Sequence, residues 1–419
     1  MKPETRNRIG AAVDARHEEQ IRFLAELVRV PSDNPPGDCA PHAARAAALL
    51  RDLGFAVEEH AVPAERVAAS GMRSAVNLIV RHRFGAGPVV ALNAHGDVVP
   101  PGAGWSADPY GAEIRDGAMY GRGVAVSKSD FATYAFALLA LVAAAPPARG
   151  TVELHFTYDE EAGGLIGPGW LLERGLTRPD WVISAGFAHA VTVAHDGCLH
   201  LEVRVEGRSA HAARPETGVD ALEAATRILA ALYAQRAELA AIRSAVPGID
   251  APTLVIGLIH GGINTNVVPD CVTFRLDRRI IPEEDPASVE RALVTSIERV
   301  AARLPGIQVA MRRILLALPL TPSPGQQRLV SLLQRHGQDI LGEAIVATGV
   351  PLYTDARLYA AAGIPTVLYG AGPHSLLEAN GHRADEKLEL EDLRKATEVV
   401  ALTLADLLAG ADPDEAGER

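Results

Sequence analysis

The spacing of hydrophobic residues changes along this chain, and the changes mark out its parts. Residues 8–31 carry apolar positions at helical spacing and stop at VPSDNPPGD, a proline-rich break. A second helix, APHAARAAALLRDLG, closes at a glycine. Short apolar runs follow, AVNLIVRH, PVVALNAHGDVV, TVELHFTYDEE and WVISAG, with helical stretches between them. Strands alternating with helices predict a mostly parallel sheet covered on both faces. In such a sheet the chemistry gathers in loops past the carboxyl ends of the strands.

The pattern shifts near residue 198. LHLEVRVEG alternates apolar and polar positions, as a half-exposed strand does. The helix GVDALEAATRILAALYAQ follows, then the strands PTLVIGLIHGG and CVTFRLDRRI, the helix PASVERALVTSIERVAARL and the strand IQVAMRRILLAL. That β-α-β-β-α-β order predicts a ferredoxin-like α+β module. After TPSPGQQ the α/β rhythm returns, with a helix near 326–341, the strand IPTVLYG and a last helix from about 391 to 409. The chain therefore reads as an α/β domain in two parts, 1–197 and 317–419, interrupted by a smaller module at 198–316.

Composition narrows the function classes. A length of 419 residues exceeds one ordinary core, and 48% hydrophobic residues with a mean hydropathy of +0.09 describe a soluble globular protein. A formal charge of −12 leaves no dominant basic patch for nucleic acid or an anionic membrane. Cys39, Cys198 and Cys271 lie far apart without C-x-x-C spacing, which fits a reducing compartment and gives no cysteine metal site. The N-terminal MKPETRNRIGAAVDARHEEQ lacks a signal-peptide apolar core, and ALLALVAAAPP is too short to span a bilayer. The expected location is the cytoplasm.

Several positions carry candidate chemistry. His95-Gly96-Asp97 ends an apolar strand, and an H-x-D step can put an imidazole on a metal while the carboxylate orients its other nitrogen. Asp159-Glu160-Glu161 follows LHFTY, and adjacent carboxylates at a strand end repel unless a cation rewards them. Ser209-Ala210-His211 lies in the inserted module, and His382 precedes the last helix. Each of these alone also fits a polar loop, a solvated acidic turn or a surface histidine.

Together they resemble the zinc-dependent aminoacylase, acetylornithine deacetylase, succinyl-diaminopimelate desuccinylase and glutamate carboxypeptidase family. The resemblance rests on H-x-D-V-V-P from His95, GW-x-x-DP-Y-G from Gly104, YGRG before a lysine and DEE-x-GG from Asp159. It continues through G-x-SAH-x-x-x-PE-x-G, GG-x-x-x-NVVPD from Gly261, the R-x-x-P step at Arg279 and H-x-x-DE at His382. It implies a zinc-exopeptidase-like α/β domain carrying a ferredoxin-like lid that often dimerises, and a small-molecule substrate. Carried over, His95, Glu161 and His382 become metal ligands, Asp97 the orienter of His95, and Glu160 the general base. His211 becomes the oxyanion stabiliser, in its own subunit or from a partner. Asn266 and Arg279 become the residues that hold the substrate's carboxylate or carbonyl groups.

The sequence departs from that family in two places. Where the family has a bridging aspartate after GRG, this chain has Val126, and where an acidic ligand follows WVIS it has Ala185-Gly186-Phe187-Ala188. The resemblance implies two zinc ions sharing the bridging aspartate, and the losses remove that shared donor and one further ligand, since valine has no lone pair to offer. Three readings stay open. Asp130 or His189 substitutes as a ligand, although Asp130 also suits a helix N-cap before Phe131 and His189 a plain loop position. One divalent ion (zinc, cobalt or manganese) binds at Glu161 and His382. The site works without metal, for which a Ser-Lys nucleophile around Lys128 is weakly motivated. The expected activity is hydrolysis of an N-acyl or peptide-like C–N bond; the alternative is a non-hydrolytic or metal-independent derivative that binds or transforms an acylated amino acid.

Overall fold

The computed structural model describes residues 2–375 and 377–409. Helix α1 (Pro3–Val28) begins earlier than its apolar spacing predicts, because Pro3 at the first turn is preorganised for a helix start. Next come α2 (Ala40–Asp52), β1 (Val57–Ala61), α3 (Ala64–Ala69), β2 (Val76–Arg83) and β3 (Val89–His95). A short hairpin of β4 (Glu113–Arg115) and β5 (Ala118–Tyr120) leads to α4 (Lys128–Ala144). Then follow β6 (Thr151–Thr157), α5 (Pro168–Glu173), β7 (Trp181–Ser184) and β8 (Ala190–His195). The inserted part holds β9 (Gly197–Glu206), α6 (Ala221–Leu239), β10 (Thr253–Gly261), β11 (Cys271–Ile280), α7 (Pro286–Ala301) and β12 (Gln308–Ala317). The chain closes with α8 (Gln327–Leu341), β13 (Val346–Val350), α9 (Ala356–Ala361), β14 (Thr366–Leu368), β15 (Lys387–Glu389) and α10 (Leu390–Ala409).

The chain divides into two compact units. The larger takes everything up to Val193, Pro322–Thr348 and the chain from Thr354 on; the smaller takes Ala194–Thr321 and Gly349–Tyr353. In the larger, the main sheet runs β1-β2-β6-β3-β7-β14-β8-β13. Its centre, β6-β3-β7-β14, is parallel, and antiparallel pairs flank it on both sides. Central strands are buried on both faces, which is why β3 and β6 read as continuous apolar runs rather than alternating ones. Polar strand β1, VEEHA, and the short β13, β4, β5 and β15 escape a pattern search because they bury little. Helix α4 is buried along most of its length, between α1 and α10, and Phe131 at its start stacks on Phe156 of β6 at 3.9 Å.

In the smaller unit the antiparallel sheet runs β10-β11-β9-β12, the ferredoxin-like order for a β-α-β-β-α-β chain. Its core is a single cluster of β9, β11, α6 and α7 side chains, including Leu201, Phe274, Ile228 and Leu293. Among the described residues, no helix is long and apolar enough to cross a membrane.

A polar network inside the main sheet ties β6 to its neighbours. Glu153 accepts hydrogen bonds from Arg81 Nε (2.8 Å), Thr177 Oγ1 (2.6 Å) and His155 Nε2 (2.9 Å), and His155 Nδ1 meets the Tyr359 hydroxyl at 2.9 Å. Burial pushes the Glu153 carboxyl up, but these partners outweigh it and hold the pKa at about 2, below its ordinary value of 4.5. A depressed carboxyl stabilises the fold fully above its unfolded pKa and loses that contribution as pH falls through the folded one. The network is therefore expected to contribute up to about 3 kcal/mol above pH 4.5, fading towards pH 2. Replacing Glu153→Gln should lower stability in urea by about 2–3 kcal/mol at neutral pH, and should flatten the acid limb of the stability–pH curve.

Candidate active site

Four parallel strands deliver their carboxyl-terminal loops to one edge of the sheet. β3 ends at His95, opposite Thr157 at the end of β6, so the His95-Gly96-Asp97 and Asp159-Glu160-Glu161 loops leave side by side. Gly96 is required there, because a Cβ would sit 2.5 Å from the Tyr158 ring. The Asp97 carboxylate is fully buried and accepts three hydrogen bonds: Asn34 Nδ2 (3.0 Å), the Glu160 N–H (3.2 Å) and the Glu161 N–H (3.1 Å). It thereby sets the position of both glutamates. His95 Nδ1 lies 2.9 Å from the Asp97 main-chain oxygen and 3.4 Å from its Oδ1. A carbonyl oxygen can only accept, so Nδ1 carries a proton in either state, and in the neutral ring Nε2 is the nitrogen with the lone pair. The orienting atom is thus mainly the Asp97 carbonyl, while its carboxylate, assigned that role from the sequence, holds the glutamate backbone.

Past that edge, His95 Nε2 lies 4.0 Å from Glu160 Oε2, and His382 Nε2 lies 3.3 Å from Glu161 Oε1. His382 occupies a left-handed backbone position (φ 62°), unusual for a residue with a Cβ. The Glu161 hydrogen bond pushes the His382 pKa up. Burial resists charge on His95, yet Glu160, Asp97 and Glu161 push its pKa well above the usual histidine value. Burial pushes Glu160 well above the ordinary carboxylate range; His95 pulls the other way, and the Glu161, Asp355 and Asp97 charges add to the rise.

Asp355, just before α9, is a site residue that sequence reading missed. It is buried, accepts a hydrogen bond from Thr157 Oγ1 at 3.4 Å, and burial raises its pKa to about 6. Asp159 is also buried and pushed well up, by burial first and then by Asp355 and Asp97. The edge of the sheet therefore gathers Asp97, Asp159, Glu160, Glu161 and Asp355 around few fixed cations, a donor set that attracts a metal ion.

Val126 stands next to this cluster. Its neighbour Ser127 exchanges two hydrogen bonds of 3.1 Å with the His95 main chain, donating to its carbonyl and accepting from its N–H. The Val126 and Ala125 N–H groups are held by Glu386 Oε1 at 3.2 and 3.0 Å. Glu386 Oε2 in turn pairs with Arg122 at 2.5 Å, both groups being 1% exposed. Arg122 also donates to the Pro101 and Arg383 carbonyls at 3.2 Å each. One buried ion pair therefore joins the YGRG loop, the end of HGDVVP and the segment carrying His382. The loop carrying Val126 is thus anchored on both sides, and the side chain it presents is aliphatic.

Of the two candidate substitutes, Asp130 feels the charge of His95 but commits both oxygens to backbone N–H groups, and His189 pairs with other carboxylates. Asp130 is not the helix N-cap; Ser127 is, and Asp130 lies in the first turn of α4. Its Oδ1 accepts the Ala371 N–H (2.8 Å) and its Oδ2 the Gly186 N–H (3.3 Å), and burial raises its pKa to about 7. Gly370 allows this, since a Cβ there would lie 2.1 Å from Asp130. The carboxylate fastens the loops after β7 and β14 together. His189 pairs instead with Glu343 (2.7 Å) and Asp392 (3.3 Å). Lys128 is buried, donates to the Val30 carbonyl at 3.1 Å and is brought by burial to about 7, so it forms no dyad with Ser127 or Ser129 among the described residues.

In the smaller unit, His211 and Asn266 come together. His211 forms an isolated bridge with Val267, and Ala212 donates its N–H to the Asn266 carbonyl at 2.9 Å. Arg279 lies at the far end of β11, paired with Asp277 at 3.1 Å and facing the Tyr353 ring at 5.9 Å. The strand rise puts Arg279 ~26 Å from the Cys271 end of β11, where the His211 and Asn266 loops lie.

Residues 91–406 match the sequence pattern of peptidase family M20/M25/M40. The chain is 29% identical over 388 residues to a succinyl-diaminopimelate desuccinylase of Stenotrophomonas maltophilia, covering 89% of this chain and 95% of that one. It is 28% identical over 355 residues to an acetylornithine deacetylase of Erwinia tasmaniensis, covering 84% and 87%. Among solved structures, an M20 family metallo-carboxypeptidase from Sulfolobus solfataricus shares the fold, with a TM-score of 0.77 and 17% identity over 92% of this chain and 98% of that one.

The Arg122–Glu386 pair generates a stability prediction. Glu386→Ala leaves a buried guanidinium without its partner and should cost about 3–5 kcal/mol in urea denaturation. Val126→Ala, next to it in space, should cost about 1 kcal/mol or less, because the site is only half-buried.

Proposed function

The chain belongs to peptidase family M20/M25/M40, and from that premise we propose that it is an amidohydrolase with an atypical metal site. It cleaves an N-acyl or peptide-like C–N bond in a small substrate bearing a carboxylate, and it uses one divalent ion rather than two. The observation that carries this reading is the convergence of His95, Glu160, Glu161 and His382 at the strand ends beside a valine. Two ions would need shared anionic oxygen, and neither Val126 nor Gly186 has a donor side chain while Asp130 is committed to two backbone N–H groups. One ion suits the donors present: Glu161 and His382, with the free Nε2 of His95 beside them. Zinc, cobalt and manganese all accept imidazole and carboxylate ligands.

When bound there, the ion supplies Lewis acidity toward the scissile carbonyl. The remaining chemistry belongs to the chain. Glu160 removes a proton from a water molecule as its oxygen bonds to the carbonyl carbon, and the carbonyl π pair moves onto oxygen. Burial makes this glutamate a stronger base than an exposed one. The tetrahedral centre then collapses, the C–N bond breaks, and Glu160 returns the proton to the leaving amine. His211 stabilises the oxyanion, and Asn266 and Arg279 hold the substrate's carbonyl and carboxylate groups.

His211 and Asn266 sit at one end of the lid sheet and Arg279 at the other, too far apart to border one small-molecule pocket together. We therefore assign them to two pockets of a homodimer, each served by His211 of the partner subunit. The edge strand β10 supports a second copy, since it exposes Val255, Leu258 and Ile259 beside an open row of backbone groups. A second reading, a non-hydrolytic or metal-independent derivative that binds or transforms an acylated amino acid, rests on the same Val126 and Gly186 losses.

A screen of N-succinyl and N-acetyl amino acids and dipeptides with added zinc, cobalt or manganese separates the two. Metal-dependent amine release is expected, and its absence across the panel would favour the second reading. Glu160→Gln should lower kcat by roughly 10²-fold or more while leaving bound metal unchanged. Val126→Asp should raise the zinc content at the strand ends from one ion to two. Mixed dimers of His211→Ala and Glu160→Gln chains should regain activity that neither homodimer has.

A further inference from the structure

Beyond the strand-end cluster, the larger unit assembles a second group of metal-ligating side chains. The loops after β7 and β14 run parallel past the Asp130 clamp: Phe187 bridges Gly372, Gly372 donates to the Gly186 carbonyl (2.9 Å), and Ala188 donates to the Gly372 carbonyl (2.7 Å). Two residues further along, each loop bends, at His189 and at His374. There His189 and His374 stack with ring centroids 3.5 Å apart and planes 19° from parallel. Glu343, just past the left-handed Gly342 that ends α8, reaches His189 Nδ1 at 2.7 Å. Asp392, in the first turn of α10, places Oδ1 3.3 Å from His189 Nε2, a buried nitrogen without hydrogen-bond geometry to any partner. Ligand atoms of His189, Glu343 and His374 all lie within 4.8 Å of one another.

We propose that His189, His374 and Glu343 form a binding site for a divalent transition-metal ion, separate from the Glu161–His382 centre, with Asp392 at the opposite ring nitrogen of His189, where a carboxylate orients a liganding imidazole. Two imidazoles with a carboxylate are a borderline donor set, suited to zinc, cobalt or nickel and not to calcium or magnesium, which take oxygen cages. Donors around an ion at about 2.0–2.2 Å stand closer than the 4.8 Å within which these three now lie, so the side chains draw in on binding. Glu343 and His374 are exposed and free to do so. A salt bridge explains His189 between two carboxylates, but it needs a single imidazole; the second ring brings another nitrogen donor to the same point. Binding displaces the proton that Asp392 and Glu343 favour on His189. The ion fastens the end of α8, and through Asp392 the start of α10, to the backbone-paired loops after β7 and β14. The proposal does not depend on the hydrolase reading.

The test uses the full chain carrying Glu161→Ala and His382→Ala, which removes the two ligands the one-ion reading assigns at the strand ends. After chelation and dialysis, zinc is titrated by calorimetry, cobalt is followed by its visible spectrum, and thermal stability is read in parallel. One equivalent of zinc, imidazole-nitrogen cobalt bands and a raised Tm are expected. Adding His374→Ala or, separately, the isosteric Glu343→Gln should weaken zinc at least tenfold, with the fold checked by circular dichroism. No zinc uptake by the Glu161→Ala/His382→Ala chain, or uptake that both further variants leave unchanged, would overturn the proposal. Neither outcome bears on amine release by the wild-type chain, so the two readings fail separately.

Discussion

A single buried carboxylate, that of Asp97, decides where the chemistry of this protein stands. It takes one hydrogen bond from Asn34, in the loop after α1, and two from the backbone of Glu160 and Glu161, in the loop after β6. The main-chain oxygen of the same residue orients the His95 ring. Both loops are thus referred to one residue, and their separation follows from the β3–β6 register rather than from flexible side chains. Removing any of the three donors would expose the cost of a buried, under-satisfied charge, which is why the joint is rigid.

Electrostatics at this joint follow from crowding. Glu160, Asp159 and Asp355 are all pushed up by burial and by neighbouring carboxylates, and Glu160, Asp97 and Glu161 push His95 up as well, by favouring its charged form. A sheet edge that collects so much negative charge away from water is poised for a cation. Beside it, Val126 and Gly186 carry no donor side chain. The fasteners around them are retained: Glu386 still holds the Val126 N–H, and Asp130 still ties Gly186 to Ala371. The geometry of the loop and the chemistry of its side chain have been separated.

The lid adds a constraint of distance. His211 and Asn266 share one end of its sheet because the His211 loop bridges Val267, while Arg279 is fixed at the other end of β11 by Asp277. His200 reaches the same Asp277 at 2.8 Å across the β9–β11 register, which limits the rotamers open to Arg279. A rigid strand cannot fold these ends together.

Hydrophobic period and a few strand-end motifs were enough to reveal the α/β framework, the β-α-β-β-α-β insert and the pairing of HGD with DEE, because each depends on neighbours a few residues apart. What the linear pattern could not carry is every contact that closes over hundreds of residues. Asp130 looks like a helix cap until Gly186 and Ala371 arrive at its oxygens. Asp355 lies in a stretch without periodicity, and only the end of β6 makes it part of the site. His189 is a loop histidine in sequence and a partner of His374, Glu343 and Asp392 in space. Local periodicity reports which face a residue buries; which distant group it meets there is set by the packing of the whole sheet.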